Sequence, residues 1–396
     1  MKTLKRDKVV LNFRETPREQ RGTLGGQYPN VVKDKIYYQM EEPKEVHYAI
    51  QKENSYIKPE SNVTIKKSLS AQNFSAFYDT NPNINEDERY KAVGGYHVGR
   101  SAVENYKQGI ESKLYNHLND CPISNDLEVV PHPDPVWPQY TRLLFKDDFH
   151  HPRHANGLYV FKSSDGIDWK EYHDLPVISS FDSCEENEEN PNNTGIGHDT
   201  LPSIFYDHNI DEYVMYIRAN LSLGVRHVFY THSKDLINWS KPSLIKIDPA
   251  FDLNHDNLYF MSAFPFGRKY IAFPPYFKNS VVSHVTGKEK VFDKEKRDWV
   301  WGDPGGPVSA EKNGHQRNYW DAKTLVMISD DRLNWKVVDT ILPSETRGHM
   351  TFPHVVSFRE EDDGYALYVH EEFMTFTNKL VRYTIDYEEL EKYLDT

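Results

Sequence analysis

Three carboxylates, each next to a histidine, have the side-chain types needed for acid and base work on a polyhydroxylated ligand. Asp199 follows His198, Asp256 follows His255, and Glu371 and Glu372 follow His370. Arg218, Tyr259, Arg347 and His349 are the accompanying donors. A carboxyl kept protonated by burial or by a second carboxylate serves as a general acid, and one held ionised by an arginine serves as base or nucleophile. Glu372 beside Glu371 would raise one pKa, and Arg218 or Arg347 would hold another group ionised. On unrelated strands the same residues would be strand caps and surface ion pairs, so their meaning depends on the elements that carry them.

Those elements are set by a repeat. Ser163-Ser164-Asp165-Gly166-Ile167-Asp168-Trp169 has the form Ser-x-Asp-x-x-x-Trp, and the form returns at Ser233 to Trp239 and at Ser329 to Trp335. Each copy follows a run of β-formers, such as Gly157-Leu158-Tyr159-Val160-Phe161, and reads as a hairpin corner. Ser and Asp hold the turn through their side chains, and Trp opens the next strand and covers the sheet. A worn copy runs from Val46 to Lys58, with Tyr56 in place of Trp. A second class of hairpin precedes each corner: Asn73–Asp79 returning as Arg89–Val93, Ser203–Asp207 returning as Glu212–Arg218, Leu258–Phe264 returning as Lys269–Phe273, and Phe352–Val356 returning as Tyr365–Val369. Asp79 and Asp207 fall at the turns of these hairpins and read as turn formers.

Two hairpins make a four-stranded unit, and the units number five. The fold class is therefore all-β, a five-bladed β-propeller with two loop/helix insertions, in one domain over 1–396. The blades fall at about 23–60, 72–180, 197–247, 256–341 and 347–386. The last has room for one more strand, which the charged N-terminal arm is predicted to fill, and closing a ring in this way removes exposed sheet edges. The insertions, about 97–155 and about 282–320, carry a helical stretch from Ala102 to Leu118 and the tryptophans Trp299, Trp301 and Trp320, which would suit stacking on sugar rings.

Composition narrows the partners. A formal net charge of −13 argues against nucleic acid, and 13% aromatic residues with only 38% hydrophobic content suit short twisted strands faced with rings. No run is apolar enough to span a membrane or to serve as a classical signal peptide, so a cytoplasmic protein, or one released without such a signal, is expected. Two cysteines, Cys121 and Cys184, do not make a disulfide framework. No membrane partner is expected, and the sequence does not speak to oligomeric state.

Blades with Ser-x-Asp-x-x-x-Trp corners resemble the glycosidase propeller superfamily that includes the arabinanase/xylosidase and invertase/fructanase families. The resemblance implies a funnel at one end of the propeller axis, where carboxylates from different blades hydrolyse glycosidic bonds of an oligo- or polysaccharide. In a propeller the start of strand one and the end of strand two of every blade lie at the same mouth. That rule selects His198, Asp199 and Arg218 in blade three, His255, Asp256 and Tyr259 in blade four, and Arg347, His349, His370, Glu371 and Glu372 in blade five. It adds Glu41, Glu42, His97 and Arg100 from the first two blades. Asp199, Asp256 and Glu371 are the expected catalytic set, since hydrolysis needs two carboxyls roughly 5 Å apart for retention, or farther apart for inversion. His198, Arg218, Tyr259, Arg347, His349, His370 and Glu372 are the expected substrate ligands.

The chain departs from the family where blade one opens as Gly25-Gly26-Gln27-Tyr28-Pro29-Asn30, without an aspartate. Arg218 is followed by Ala219-Asn220, which is not the invertase Arg-Asp-Pro. Either the carboxylates sit on other blades or the propeller binds carbohydrate without cleaving it. No cofactor is expected. The tract from Asp147 to His154 holds ligand types but no paired zinc signature, and a structural cation in the central channel is the one metal the pattern admits.

Overall fold

The computed structural model describes residues 4–21, 26–41, 44–65, 73–96, 127–131, 141–145, 157–173, 176–179, 196–197, 200–221, 225–253, 256–280, 289–293, 298–302, 316–342, 352–362, 364–373 and 375–393. Among them the one α-helix is Tyr387–Glu391, Glu19–Arg21 and Glu86–Glu88 are short 3-10 turns, and strands make up the rest of the regular structure. The stretch from Ala102 to Leu118 lies outside the described residues.

The strands form antiparallel meanders taken in chain order. The first sheet runs Gln27–Val32, Lys35–Glu41, Lys44–Lys52, Ser55–Ile57, and the second Ser75–Tyr78, Tyr90–Tyr96, Gly157–Ser163, Lys170–Glu171. The third runs Ser203–Asp207, Glu212–Asn220, Arg226–Ser233, Ser243–Leu244, and the next Ala263–Phe266, Lys269–Ala272, Gln316–Ser329, Asn334–Ile341. The last is His354–Glu361, Gly364–Glu371, Lys379–Ile385, with Lys5–Asn12 added at its outer edge. The N-terminal arm thus supplies the closing strand.

These sheets stand in a propeller-like ring. Gln27–Val32 lies against both Ser75–Tyr78 and His354–Glu361, while Ser203–Asp207 lies against Ser75–Tyr78 and Ala263–Phe266. The apolar cores fill the spaces between neighbouring sheets. Tyr37, Val46 and Tyr48 of the first pack on Phe161 and Trp169 of the second, and Val356, Tyr368 and Leu380 of the last pack on Val31, Ile36 and Tyr38 of the first. The innermost strands do not hydrogen-bond to one another as sheets do; side chains bridge them. The Asn30 amide donates to the Phe74 carbonyl at 2.9 Å and accepts from the Ala76 N–H at 3.0 Å. Ser203 Oγ donates to the Ala263 carbonyl and accepts its N–H, and Ser262 Oγ donates to the Val355 carbonyl at 2.6 Å.

Each Ser-x-Asp corner is a closed local network. Asp331 Oδ1 accepts the amides of Leu333 and Asn334 at 3.0 and 2.7 Å, and Ser329 Oγ accepts that of Arg332 at 2.9 Å. The network holds the residue after the aspartate at positive φ: Gly166 at 74°, Leu236 at 65°, Arg332 at 74°. Such a conformation costs a non-glycine residue roughly 1–2 kcal/mol. It aims the side chain of that residue at the preceding sheet, where Leu236 is buried and Arg332 Nη1 donates to Asp207 Oδ2 at 3.2 Å. At Gly166 a Cβ would stand 2.5 Å from the Tyr37 hydroxyl, which donates to the Gly166 carbonyl.

Asp79 and Asp207 do form the turns assigned to them, accepting the amides of Asn81 and Asn209. They also do what the sequence did not reveal. Each takes a phenol from the next sheet, Tyr213 to Asp79 at 2.9 Å and Tyr270 to Asp207 at 2.6 Å, and Tyr90 donates to Asp34 in the same way at 3.2 Å. Burial pushes the Asp79 carboxyl up from its ordinary value, against the hydrogen bonds from Asn81 and Tyr213.

The corners are local stabilising units. Asp331→Ala is expected to lower unfolding stability by about 1–2 kcal/mol, the loss seen for a side-chain cap. Asp330→Ala, next to it and exposed, should change stability by less than about 0.5 kcal/mol. Urea denaturation of the two variants checks this, and equal effects would remove the corner from the account.

Candidate functional site

The end of the ring where innermost strands begin is floored by buried rings and cationic groups from several sheets. Tyr28 of the first sheet meets Tyr259, hydroxyl to hydroxyl, at 2.8 Å. The guanidinium carbons of Arg218 and Arg226 lie 5.8 and 4.9 Å from the Tyr259 ring centroid, and both side chains are largely buried. His354 stacks on Tyr259 at 5.6 Å, lies 4.4 Å from Phe373 and meets His370 edge-on at 6.1 Å. Leu201, Phe260, Phe277 and Phe352 complete the layer.

Local sequence explains the positions. Tyr28 precedes Pro29 at a break in register between Gln27 and Asn30, and has φ of 45°, a strained value for tyrosine. The irregular start turns Tyr28 into the mouth. His354 and His370 are a directly paired couple across the two innermost strands of the last sheet. Both are fully buried, and none of their four ring nitrogens has a hydrogen-bond partner among the described residues. Burial pulls His370 down to about 3, and burial followed by the neighbouring His370 holds His354 well below the usual imidazole range. Both are therefore neutral, each with one donor and one acceptor nitrogen.

The N-terminal segment crosses this same end. Phe13 packs edge-on against His370 at 5.4 Å and tilted against Tyr38 at 5.0 Å, and Gly26 leaves it room, since a Cβ there would stand 2.6 Å from Tyr38 and 2.8 Å from Phe13. Two buried carboxylates clamp the crossing. Glu19 accepts the Tyr38 hydroxyl at 2.5 Å and Lys58 at 2.9 Å, and Glu45 takes both arms of the Arg18 guanidinium and a ring nitrogen of His47. Burial would raise the Glu45 carboxyl, but His47 and Arg18 outweigh it and bring it to about 2.

The expected site residues fare unevenly. Arg218, Tyr259 and His370 come together in the floor, whereas His198, Asp199, Arg347 and His349, with His255, Glu42, His97 and Arg100, lie outside the described residues. Asp256 is buried but off the innermost strand: Asp256–Leu258 pairs with Pro275–Ser280. Its carboxylate accepts the Asp252 amide at 2.9 Å and the Tyr276 hydroxyl at 2.8 Å, with Lys278 Nζ at 3.5 Å. Burial, then the bond to Asp256, pushes that hydroxyl well above its ordinary value. The nearby His227 is buried and drawn down to about 4.

Glu371 requires correction. Both of its oxygens are taken by Arg6 of the closing strand at 3.0 Å, and Oε1 also accepts the Tyr383 hydroxyl at 2.6 Å. Strand alternation explains the difference: His370 faces the floor, so Glu371 faces away, and its carboxylate latches the arm. Glu372 pairs at 2.8 Å with Lys379, the first residue of the following strand, and anchors the loop between them.

Tyr28, Arg226, His354, Phe352 and Phe373 are floor residues that the sequence reading did not select. His354 obeys the start-of-strand rule; placing the start of the last unit near 347 hid it, because the strand itself begins at His354. Among the described residues no group of three or more metal-ligating side chains is placed to hold an ion.

By sequence, no protein family and no curated protein matches the chain. By structure it is similar to an N-acetylgalactosamine deacetylase from F. plautii in complex with blood group B trisaccharide, at 10% identity and a TM-score of 0.48, over 96% of this chain and 94% of that one. It is also similar to an α-L-arabinanase of Penicillium chrysogenum complexed with arabinobiose, at 10% identity and a TM-score of 0.43, over 98% and 99% of the two chains. A third likeness is to a β-fructofuranosidase of Bombyx mori, at 13% identity and a TM-score of 0.44, over 94% of this chain and 61% of that one. The floor described above rests on this chain's own residues.

The buried histidines make stability depend on acidity. Their folded pKa values lie below the ordinary value of about 6.5, so in the acid range the unfolded chain binds more protons than the folded one. Stability is then full above about pH 6.5 and falls as pH drops toward about 3, by roughly 1.4 kcal/mol per pH unit for each such histidine. Urea midpoints from pH 7 to 4.5 should decline, and His370→Phe should decline less steeply. A flat profile for the parent protein would contradict the buried neutral pair.

Proposed function

We propose that the protein is a five-bladed propeller that binds a carbohydrate at the axial mouth and hydrolyses a glycosidic bond there. The five-blade count is supported by the closed order of sheets, by interleaved cores between neighbours and by the arm strand that completes the last sheet. One blade then corresponds to each sequence unit, at about 23–60, 72–180, 197–247, 256–341 and 347–386.

The observation that carries the carbohydrate reading is the floor itself. Two buried guanidinium groups, two linked phenols and two neutral imidazoles sit among aromatic rings at one end of the ring. A concave apolar wall with a few fixed polar groups is what a sugar requires, because its ring faces are apolar and its hydroxyls need aligned partners. Arg218, Tyr259 and His370 are the proposed ligands here, joined by Tyr28, Arg226 and His354, with His198, Arg347 and His349 as further ligands.

For hydrolysis we assign Asp199 and Asp256 as the carboxyl pair. Asp199 follows, two residues on, from Gly197, whose backbone pairs with Arg218. Tyr276 and Lys278 hold the Asp256 carboxylate in place. A second reading, binding without cleavage, draws support from the carboxylates in view: Glu371 is committed to Arg6, and Asp256 already has three partners.

Incubation with a panel of oligo- and polysaccharides, with released sugars measured by chromatography, separates the two. Hydrolysis predicts reducing sugar from at least one glycan and a loss of about 100-fold or more in kcat for Asp199→Asn and for Asp256→Asn. Glu371→Gln should keep kcat. Binding of a glycan with no release by the parent protein would establish the second reading, and full turnover by Asp256→Asn would take that residue out of the mechanism.

A further inference from the structure

We infer that Phe376 is a stacking platform on the mouth rim that receives the neighbouring unit of an oligosaccharide whose first unit occupies the floor; this rests on the carbohydrate reading above. Phe376 is 65% exposed, and the other exposed large apolar side chains among the described residues, Val9 and Ile57, are aliphatic. It belongs to the connection between Gly364–Glu371 and Lys379–Ile385, which emerges at the mouth end. The same connection puts Phe373 into the floor, against His354, His370 and Tyr28. The two residues are three positions apart, so their Cα atoms are at most about 10 Å apart.

The ring is held ready. Arg14 of the crossing segment places its guanidinium carbon 4.9 Å from the Phe376 centroid, and Arg14 is itself fixed by exchange of hydrogen bonds with Gln20. Thr375 donates its N–H and hydroxyl to the Glu372 carbonyl, at 3.1 and 2.7 Å, and the Thr377 amide donates to Thr375 Oγ1. Asn378 Nδ2 donates to the Gly26 carbonyl at 2.8 Å, tying the connection to the start of the first sheet. An exposed phenyl ring fixed this way presents its free surface without an ordering cost on binding. The partner it fits is the apolar face of a sugar ring, with Arg14 beside it for a ring hydroxyl or carboxylate.

Isothermal titration of the full chain with xylotetraose, arabinotetraose and galactotetraose, and with the methyl glycosides of the same sugars, tests the assignment. For the tetrasaccharide that binds, Phe376→Ala should weaken affinity about tenfold, as expected for loss of one aromatic contact. Phe376→Trp should keep it, and methyl glycoside affinity should not change. Tetrasaccharide binding that is indifferent to Phe376→Ala, or an equal loss for the methyl glycoside, overturns the platform and leaves the floor standing. Failure of the parent protein to bind any of these sugars overturns the carbohydrate reading and the platform together.

Discussion

The ring depends on closure by the N-terminal strand. Without Lys5–Asn12, the strand Lys379–Ile385 would be an open edge with unpaired backbone groups, a template for other chains. Closure also commits charges. Arg6 grips Glu371, and Arg382 bridges Asp7 at 2.7 Å and Glu361. These pairs are partly exposed and individually modest, so most of the hold comes from the strand ladder and from Leu11 and Phe13 packed beneath it. Because the segment after that strand crosses the mouth, closure also delivers Phe13 to His370. Ring integrity and the shape of the floor are one constraint.

Within the ring, converging sheets create a problem that side chains solve. Neighbouring innermost strands are too splayed to form a ladder, yet their backbone groups are buried and need partners. Asn30, Ser203 and Ser262 supply them with short polar side chains. At the opposite end the Asp–Tyr pairs do the same work between sheets, joining Asp34 to Tyr90, Asp79 to Tyr213 and Asp207 to Tyr270. At the mouth His354 and His370 are buried without hydrogen-bond partners among the described residues, and Tyr28 holds a strained backbone.

The fold was largely legible. Ser163, Ser233 and Ser329 with their aspartates fix corners through bonds spanning two or three residues, so the sequence carries nearly all the information they need. The residues that line the mouth were legible only in part. The start-and-end rule pointed to Arg218, Tyr259 and His370, which do lie together, whereas it passed over His354 because the last unit was started near 347. Glu371 was misread for a related reason. Period-two alternation sends it and His370 to opposite faces, and the identity of the strand beyond it, the distant Lys5–Asn12, decides what its face meets.

What the sequence by itself determined is whatever local forces settle: the hairpin corners, the succession of four-stranded units, the apolar alternation and the turn aspartates. Only the tertiary structure decided the mouth. Tyr28 and Tyr259 are 231 residues apart, and their hydroxyls meet at 2.8 Å because the last sheet closes on the first. No spacing in the chain encodes that distance. It follows from sheet twist, the number of sheets in the ring and the place where the arm docks, which are properties of the closed assembly and of no single segment.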